Sequence, residues 1–234
     1  MSEEWSTKIS SGGEDSVVRG VSLEDVMDMD FADAIWLVLK GEKPSEKESE
    51  MFNTILSSSI DHGIGNPSSI SARTVQSGGN DMNTSVAAGI LSLGDDHGGA
   101  IENCMRMLQD DRSAEDIVKG YLAEGKRIPG LGHKIYTEED PRAENIMAKA
   151  EDLGLAGKAV EQMRAIRREF ADRKVDLVIN IDGGIAAVMS DLGWDYRLGK
   201  GIFIIARTPG LVAHVREEMD EPPFRRQDGS YEGR

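Results

Sequence analysis

The sequence predicts an all-α protein, and three observations carry that reading. Hydrophobic residues make up 39% of the chain but aromatics only 5%, so the core must come mostly from Ala, Leu, Ile, Val and Met, a mixture that favours helix. Apolar residues recur at three- and four-residue spacing, with Ser or Pro where these runs start and Gly where they stop. Only VDLVINID, residues 175–182, is a convincing extended segment, and it could equally lead straight into the helix that follows.

Taken in order, residues 1–20 are polar with a glycine pair and read as an irregular arm. Ser22, with an acid three positions on, is a helix cap. Phe31, Ala34, Ile35, Val38 and Leu39 then share one face until Gly41 ends the helix. Pro44 precedes a second helix with a capping box at Ser45 and Glu48. Residues 57–73, SSSIDHGIGNPSSISAR, read as a loop near a site or a short turn-rich connector. Residues 82–93, MNTSVAAGILSL, are small and apolar almost all round, which suits a buried helix. GDDHGG interrupts that pattern before AIENCMRMLQD resumes it. A helix capped by Ser113 follows, and two more cover 141–154 and 157–174, the first with Pro141 at its first position. Residues 183–194 and 201–221 are the last helices, the latter bent or restarted at Pro209. The total is roughly ten helices and little sheet.

At 234 residues the chain holds one large domain or two modest ones sharing an interface. Its formal net charge of −15 argues against nucleic acid or an anionic membrane as partner, because both need a basic footprint. A small anionic ligand, which needs only a few converging arginines, stays open. Cys104 is the only cysteine, so an intramolecular disulfide and a cysteine metal cluster are excluded. No apolar run approaches the length of a membrane span, and the acidic start MSEEW is unlike a secretion signal. A cytoplasmic protein is expected.

Three of the four histidines sit against glycine: His62, His97 and His133. Glycine lets backbone and ligand approach closely and leaves the imidazole unshielded. His214, on an amphipathic helix, reads as a packing or hydrogen-bonded residue. A metal site built from His62, His97 and His133 with Asp61, Asp95 or Asp96 is the alternative, but no two histidines have the spacing of one helix face, and no metal is expected. Asp182 follows an apolar run and precedes two glycines, where poor solvation makes a carboxylate a stronger base; it could also simply cap the next helix. Arg207 follows a run too apolar for a surface, so it needs an anionic partner, protein or ligand. Arg142 sits at a helix start that favours an anion, or else pairs with Glu138 or Glu139. Arg225 and Arg226 read as a solvated tail. GLG followed by HKI is not a dinucleotide fingerprint, and no phosphate-loop or serine-hydrolase pattern is present.

Together these motifs resemble the citrate synthase superfamily over nearly the whole chain. VVRGVSLEDVMDMDFADAIWLVLKGEKPSE is similar to its N-terminal segment, DDHGGAIENCMRML to its first catalytic-histidine motif, GLGHKIYTEEDPRA to its second, and NID to its catalytic-aspartate motif. The resemblance implies a mainly helical, dimeric fold. Residues 99–195 would form a small domain that closes over coenzyme A, with 1–98 and 196–234 forming the large one. It also implies roles. His97 would stabilise the enol of the acetyl thioester, His133 would bind the oxygen of the four-carbon partner, and Asp182 would exchange the methyl proton. His62, Arg142 and Arg207 would bind carboxylates, Arg226 would reach across the dimer, and the backbone of Ile128, Pro129, Gly130, Leu131 and Gly132 would contact coenzyme A. The thioester is a substrate, and no permanently bound cofactor is implied.

The chain is shorter than an ordinary citrate synthase. SSIDHGIGNPSSISAR, GDDHGGAIE, NIDGGIA and GKGIFIIARTPGLVAH look closer to citryl-CoA lyases and to the citryl-CoA lyase module of ATP-citrate lyase. Cleavage of citryl-CoA to acetyl-CoA and oxaloacetate is the leading expectation. His97 is a departure from the ATP-citrate lyase module and a feature of synthases, so citrate synthesis is the alternative. A third reading is a subunit that works beside a citryl-CoA-forming partner.

Overall fold

The computed structural model describes residues 5–95, 97–133, 136–224 and 230. Eleven α-helices dominate the described residues, accompanied by three two-residue strands and one 3-10 turn. The all-α expectation holds. Two details differ. Residues 10–22, read mostly as an irregular arm, form a small antiparallel meander of β1 (Ser10–Ser11), β2 (Val17–Val18) and β3 (Val21–Ser22). VDLVINID forms no strand; it makes a single bridge, Ile179 to Leu131, before the next helix begins.

Capping chemistry fixes most helix starts. Ser22 caps α1 (Leu23–Met27), and the Ser45–Glu48 box opens α3 (Glu46–Ser58). Ser113 caps α7 (Ala114–Glu124), and Asp140, one residue before Pro141, caps α8 (Pro141–Leu153). Gly41 ends α2 (Phe31–Lys40) with φ 87°, a left-handed conformation that costs glycine little. The 57–73 segment is a loop only in its first half. Asn66 accepts from the Ser69 amide and Pro67 takes the first position of α4 (Pro67–Ser77), so the serines after it are helical.

The face assigned to α2 is rotated from the one the spacing suggests. Trp36 and Leu37 are its buried residues, while Phe31 is 81% exposed. The reason is aromatic packing: Trp36 meets Phe52 and Trp194 edge-on at 5.3 and 4.9 Å, and Phe52 stacks on Trp194 at 5.2 Å. Lys40 closes this cluster, its Nζ 4.8 Å from the Trp36 ring and donating to the Leu192 carbonyl.

Two helices organise the rest. Buried α10 (Ile181–Asp191) packs against α6 (Ala100–Leu108), α8 and α9 (Lys158–Asp172). Its residues Gly183 to Met189 are all buried, contiguous with the main core. The 20-residue α11 (Gly199–Glu218) runs unbroken through Pro209 and packs on α4, α5 (Met82–Leu91) and α6. Between α4 and α11 lies a smaller core of Ala72, Leu211 and Val215. Contrary to the buried-helix reading, α5 fully buries only Ser85 and Gly89, and Leu91 is 85% exposed. Among the described residues no helix is long and apolar enough to cross a membrane.

Candidate active site

The second histidine motif is tied to the start of α10 by glycine and by one asparagine. Asn180, not Asp182, is the cap of α10: its side-chain oxygen accepts from the Gly183 amide at 3.1 Å. The same residue donates from Nδ2 to the Gly132 carbonyl at 2.9 Å and from its backbone to Gly130 at 3.0 Å. Gly132 in turn donates to Val178 at 2.7 Å. A Cβ on Gly183 would overlap the Gly130 carbonyl, and one on Gly130 would lie 2.7 Å from Cys104 Sγ. Gly130 and Gly183 therefore pack backbone to backbone, which ties the His133 segment to the helix that carries Asp182. Ile128 and Gly130 are buried here, whereas Pro129, Leu131 and Gly132 keep partial exposure.

Asp182 sits in the first turn of α10. Burial pushes its carboxyl up to about 6 against the pull of Arg142 and Arg207, with Asp140 adding to the rise. A carboxylate of that kind exchanges protons near neutral pH.

Asp140 is fully buried and joins two elements. Its Oδ1 accepts from the backbone and Nε of Arg142, at 3.1 and 3.0 Å, and its Oδ2 accepts from Arg142 Nη2 at 2.8 Å and the Ile181 amide at 3.1 Å. Burial alone would raise its pKa, but the Arg142 bonds hold it below the usual range. Arg142 thus pairs with Asp140 rather than Glu138 or Glu139. The fork leaves Arg142 Nη2 also 3.3 Å from His133 Nε2. His133 Nδ1 lies 3.1 Å from the Tyr136 amide, which leaves Nε2 as the ring nitrogen turned toward Arg142. Arg142 Nη2 and His133 Nε2 then stand side by side, an arrangement suited to one substrate oxygen.

His97 lies in a tight turn in which its backbone and that of Gly94 exchange hydrogen bonds of 2.9 Å in both directions. Gly98 has φ +82°, and a Cβ there would lie 2.7 Å from the Phe203 ring. The His97 Nε2 lies 2.9 Å from Ser68 Oγ and 3.4 Å from the Ser68 amide at the start of α4. Accepting there puts the proton of a neutral imidazole on Nδ1. Burial, then Arg207 and His62, lower its pKa and keep it neutral.

Arg207 is 4% exposed. Its Nε donates to the Ser59 carbonyl at 2.9 Å and its guanidinium carbon lies 4.9 Å from the centre of the Phe203 ring. Burial lowers its pKa while Asp61 and Asp182 oppose that shift. The anionic counterpart expected for it is thus electrostatic: among the described residues no ion pair to Arg207 is formed. His62, on the loop before α4, has its pKa lowered by burial, then by Arg142, Arg207 and His133. Through Arg142 and Arg207, His62, His97, His133 and Asp182 share one electrostatic neighbourhood. Arg226 lies outside the described residues. Among those described, no group of three His, Cys, Asp or Glu side chains is arranged to hold a metal.

Reading the sequence alone missed Ser68, Asp140, Asn180 and Phe203. Asp before Pro-Arg and Asn before the last helix cluster carried cap signals, but their second partners are distant in sequence.

A family model described as citrate synthase, C-terminal domain, matches residues 9–227. The citrate synthase of Haloferax volcanii is 34% identical over 203 residues, which are 84% of this chain and 53% of that protein. Citrate synthase 2 of Bacillus subtilis is 32% identical over 212 residues, 88% of this chain and 57% of that protein. The chain thus spans about half the length of these curated relatives. Citryl-CoA lyase from Hydrogenobacter thermophilus is 46% identical, with a TM-score of 0.93 over 98% of this chain and 95% of that one. ATP citrate lyase from Methanothrix soehngenii, solved with citrate and coenzyme A, shares the fold at 23% identity and a TM-score of 0.80, over 97% of this chain and 42% of that one.

Proposed function

Because the chain belongs to the citrate synthase family, we propose that it is a citryl-CoA lyase, cleaving citryl-CoA reversibly to acetyl-CoA and oxaloacetate. The observation that carries this reading is the 46% identity to the Hydrogenobacter citryl-CoA lyase, matched end to end over 98% and 95% of the two chains.

In the proposed reaction His133 takes the proton of the citryl hydroxyl. The carbon–carbon bond then breaks, and its electron pair moves onto the thioester to give the enolate. His97 Nδ1 donates to the enolate oxygen, and Asp182 protonates the carbon to give the acetyl methyl. Neutral donors fixed at a developing oxyanion each contribute about 3 kcal/mol of barrier lowering. Arg142, Arg207 and His62 take the carboxylates of the four-carbon half, with Arg226 supplied by a second copy. The backbone of residues 128–132 contacts coenzyme A, and residues 99–195 act as the small domain that closes over it. The assembly is a homodimer.

Citrate synthesis is the second reading, favoured by His97 and by the citrate synthases at 34% and 32% identity. A subunit working with a citryl-CoA-forming partner is the third, supported by the fold shared with ATP citrate lyase. Purified protein incubated with citryl-CoA should release acetyl-CoA and oxaloacetate. Incubated with acetyl-CoA and oxaloacetate, it should not release free thiol in a sustained way. Brisk, continuing thiol release sinks the lyase reading in favour of the synthase, and no turnover until a partner is added favours the third.

A further inference from the structure

One face of α11 carries Phe203, Arg207, Gly210 and His214, at steps of four, three and four residues. Such steps place side chains along a single stripe. Phe203 lies against His97 and Gly98, with its ring centre 6.4 Å from that of His97. The other three meet successive residues of the loop that carries His62. Arg207 Nε donates to the Ser59 carbonyl at 2.9 Å. Gly210 lies flush against Ile60, where a Cβ would overlap the Ile60 carbonyl oxygen. His214 Nε2 lies 3.0 Å from Asp61 Oδ1, its side chain only 15% exposed. Asp61 Oδ2 meanwhile accepts from the Gly63 amide at 2.8 Å, closing a turn with His62 at its apex.

The His62 backbone also donates to Asp61, whereas its imidazole makes no hydrogen bond among the described residues and stands near two arginines that repel its charged form. Its placement therefore comes from the turn, and the turn is held to α11 at its far end by the Asp61–His214 pair. We propose that Asp61 and His214 are positioning residues for the substrate carboxylate, fixing the Ser59–Gly63 turn so that His62 faces Arg142 and Arg207. This rests on the reading that the three bind the four-carbon acid. It assigns to that site two residues that do not touch the substrate.

The test is calorimetric binding of oxaloacetate and, separately, of coenzyme A, with melting temperatures recorded alongside. His214→Ala should raise the Kd and KM for oxaloacetate about tenfold, the effect of one charge-assisted bond. The Kd for coenzyme A should hold, and kcat at saturation should stay within about threefold. His214→Gln, which keeps a donor near Asp61, should recover most of the affinity. Asp61→Ala breaks the pair from the loop side without touching α11 and should reproduce the loss if the helix variant fails to fold. Unchanged oxaloacetate binding in both alanine variants overturns the proposal. So does an equal loss of oxaloacetate and coenzyme A affinity with a fall in melting temperature, which marks a general packing role. A wild-type protein that binds no oxaloacetate defeats the functional reading and this proposal with it, whereas wild-type binding with unaffected variants defeats this proposal alone.

Discussion

Asp182 carries a charge that its surroundings disfavour. Its carboxyl stands at about 6 against an ordinary 3.8, a gap worth about 3 kcal/mol. The sign follows from proton binding: the folded state holds this proton more tightly, so stability from it is present below about pH 4 and lost as pH rises through about 6. Asp182→Asn should therefore leave the unfolding free energy near wild type at about pH 4 and raise it by up to about 3 kcal/mol at about pH 8, read by chemical denaturation. The same variant should lose turnover by about three orders of magnitude while still binding citrate. In the proposed mechanism the ionised carboxylate is also the form that would exchange the acetyl methyl protons, so deuterium entry into that methyl should rise as pH climbs through about 6. Gly183→Ala makes a sterner demand, because its methyl meets the Gly130 carbonyl. A loss of about 1–3 kcal/mol in stability is expected, together with activity, measured by denaturant titration beside an assay. The histidines, arginines and Asp182 could be picked out from the sequence because glycines and apolar runs flank them. Asn180 and Asp140 were harder to find, since their partners Gly132 and Ile181 lie 48 and 41 residues away.

At the scale of the helices, local chemistry decided where elements begin and tertiary packing decided which face they bury. Ser45, Ser113 and Pro141 marked starts that the structure keeps. The start of α9 shows the opposite case. Gly157 provides no capping side chain, and the exposed amides of Gly157, Ala159 and Val160 are taken up by Asp191 from the end of α10, at 2.7, 2.7 and 3.0 Å. No local pattern announces a cap supplied from 31–34 residues away. Asp191→Ala should cost about 1–2 kcal/mol, with hydrogen exchange accelerated first in the opening turn of α9. The orientation of α2 was hidden for a related reason: its buried face is set by Trp194, far along the chain. The helix α11 does not restart at Pro209, and its stripe depends on that continuity.

For the whole molecule, α5 buries only two residues fully and leaves Leu91 85% exposed, which fits the proposed homodimer. Sedimentation equilibrium should return twice 25.5 kDa; a monomer at working concentration would refute that expectation. The net charge of −15 bears on the site in a different way. Arg207 is nearly inaccessible and Arg142 is forked to a buried aspartate, so neither projects much attraction into solvent. On the proposed function, an approaching citryl-CoA, itself strongly anionic, would meet a repulsive outer field before reaching the cations beneath. Salt at about 0.2 M, with a screening length below about 10 Å, weakens that far field more than the sheltered contacts. The second-order rate constant kcat/KM should then climb with ionic strength over this range, a kinetic barrier of long reach around a site whose attraction is short.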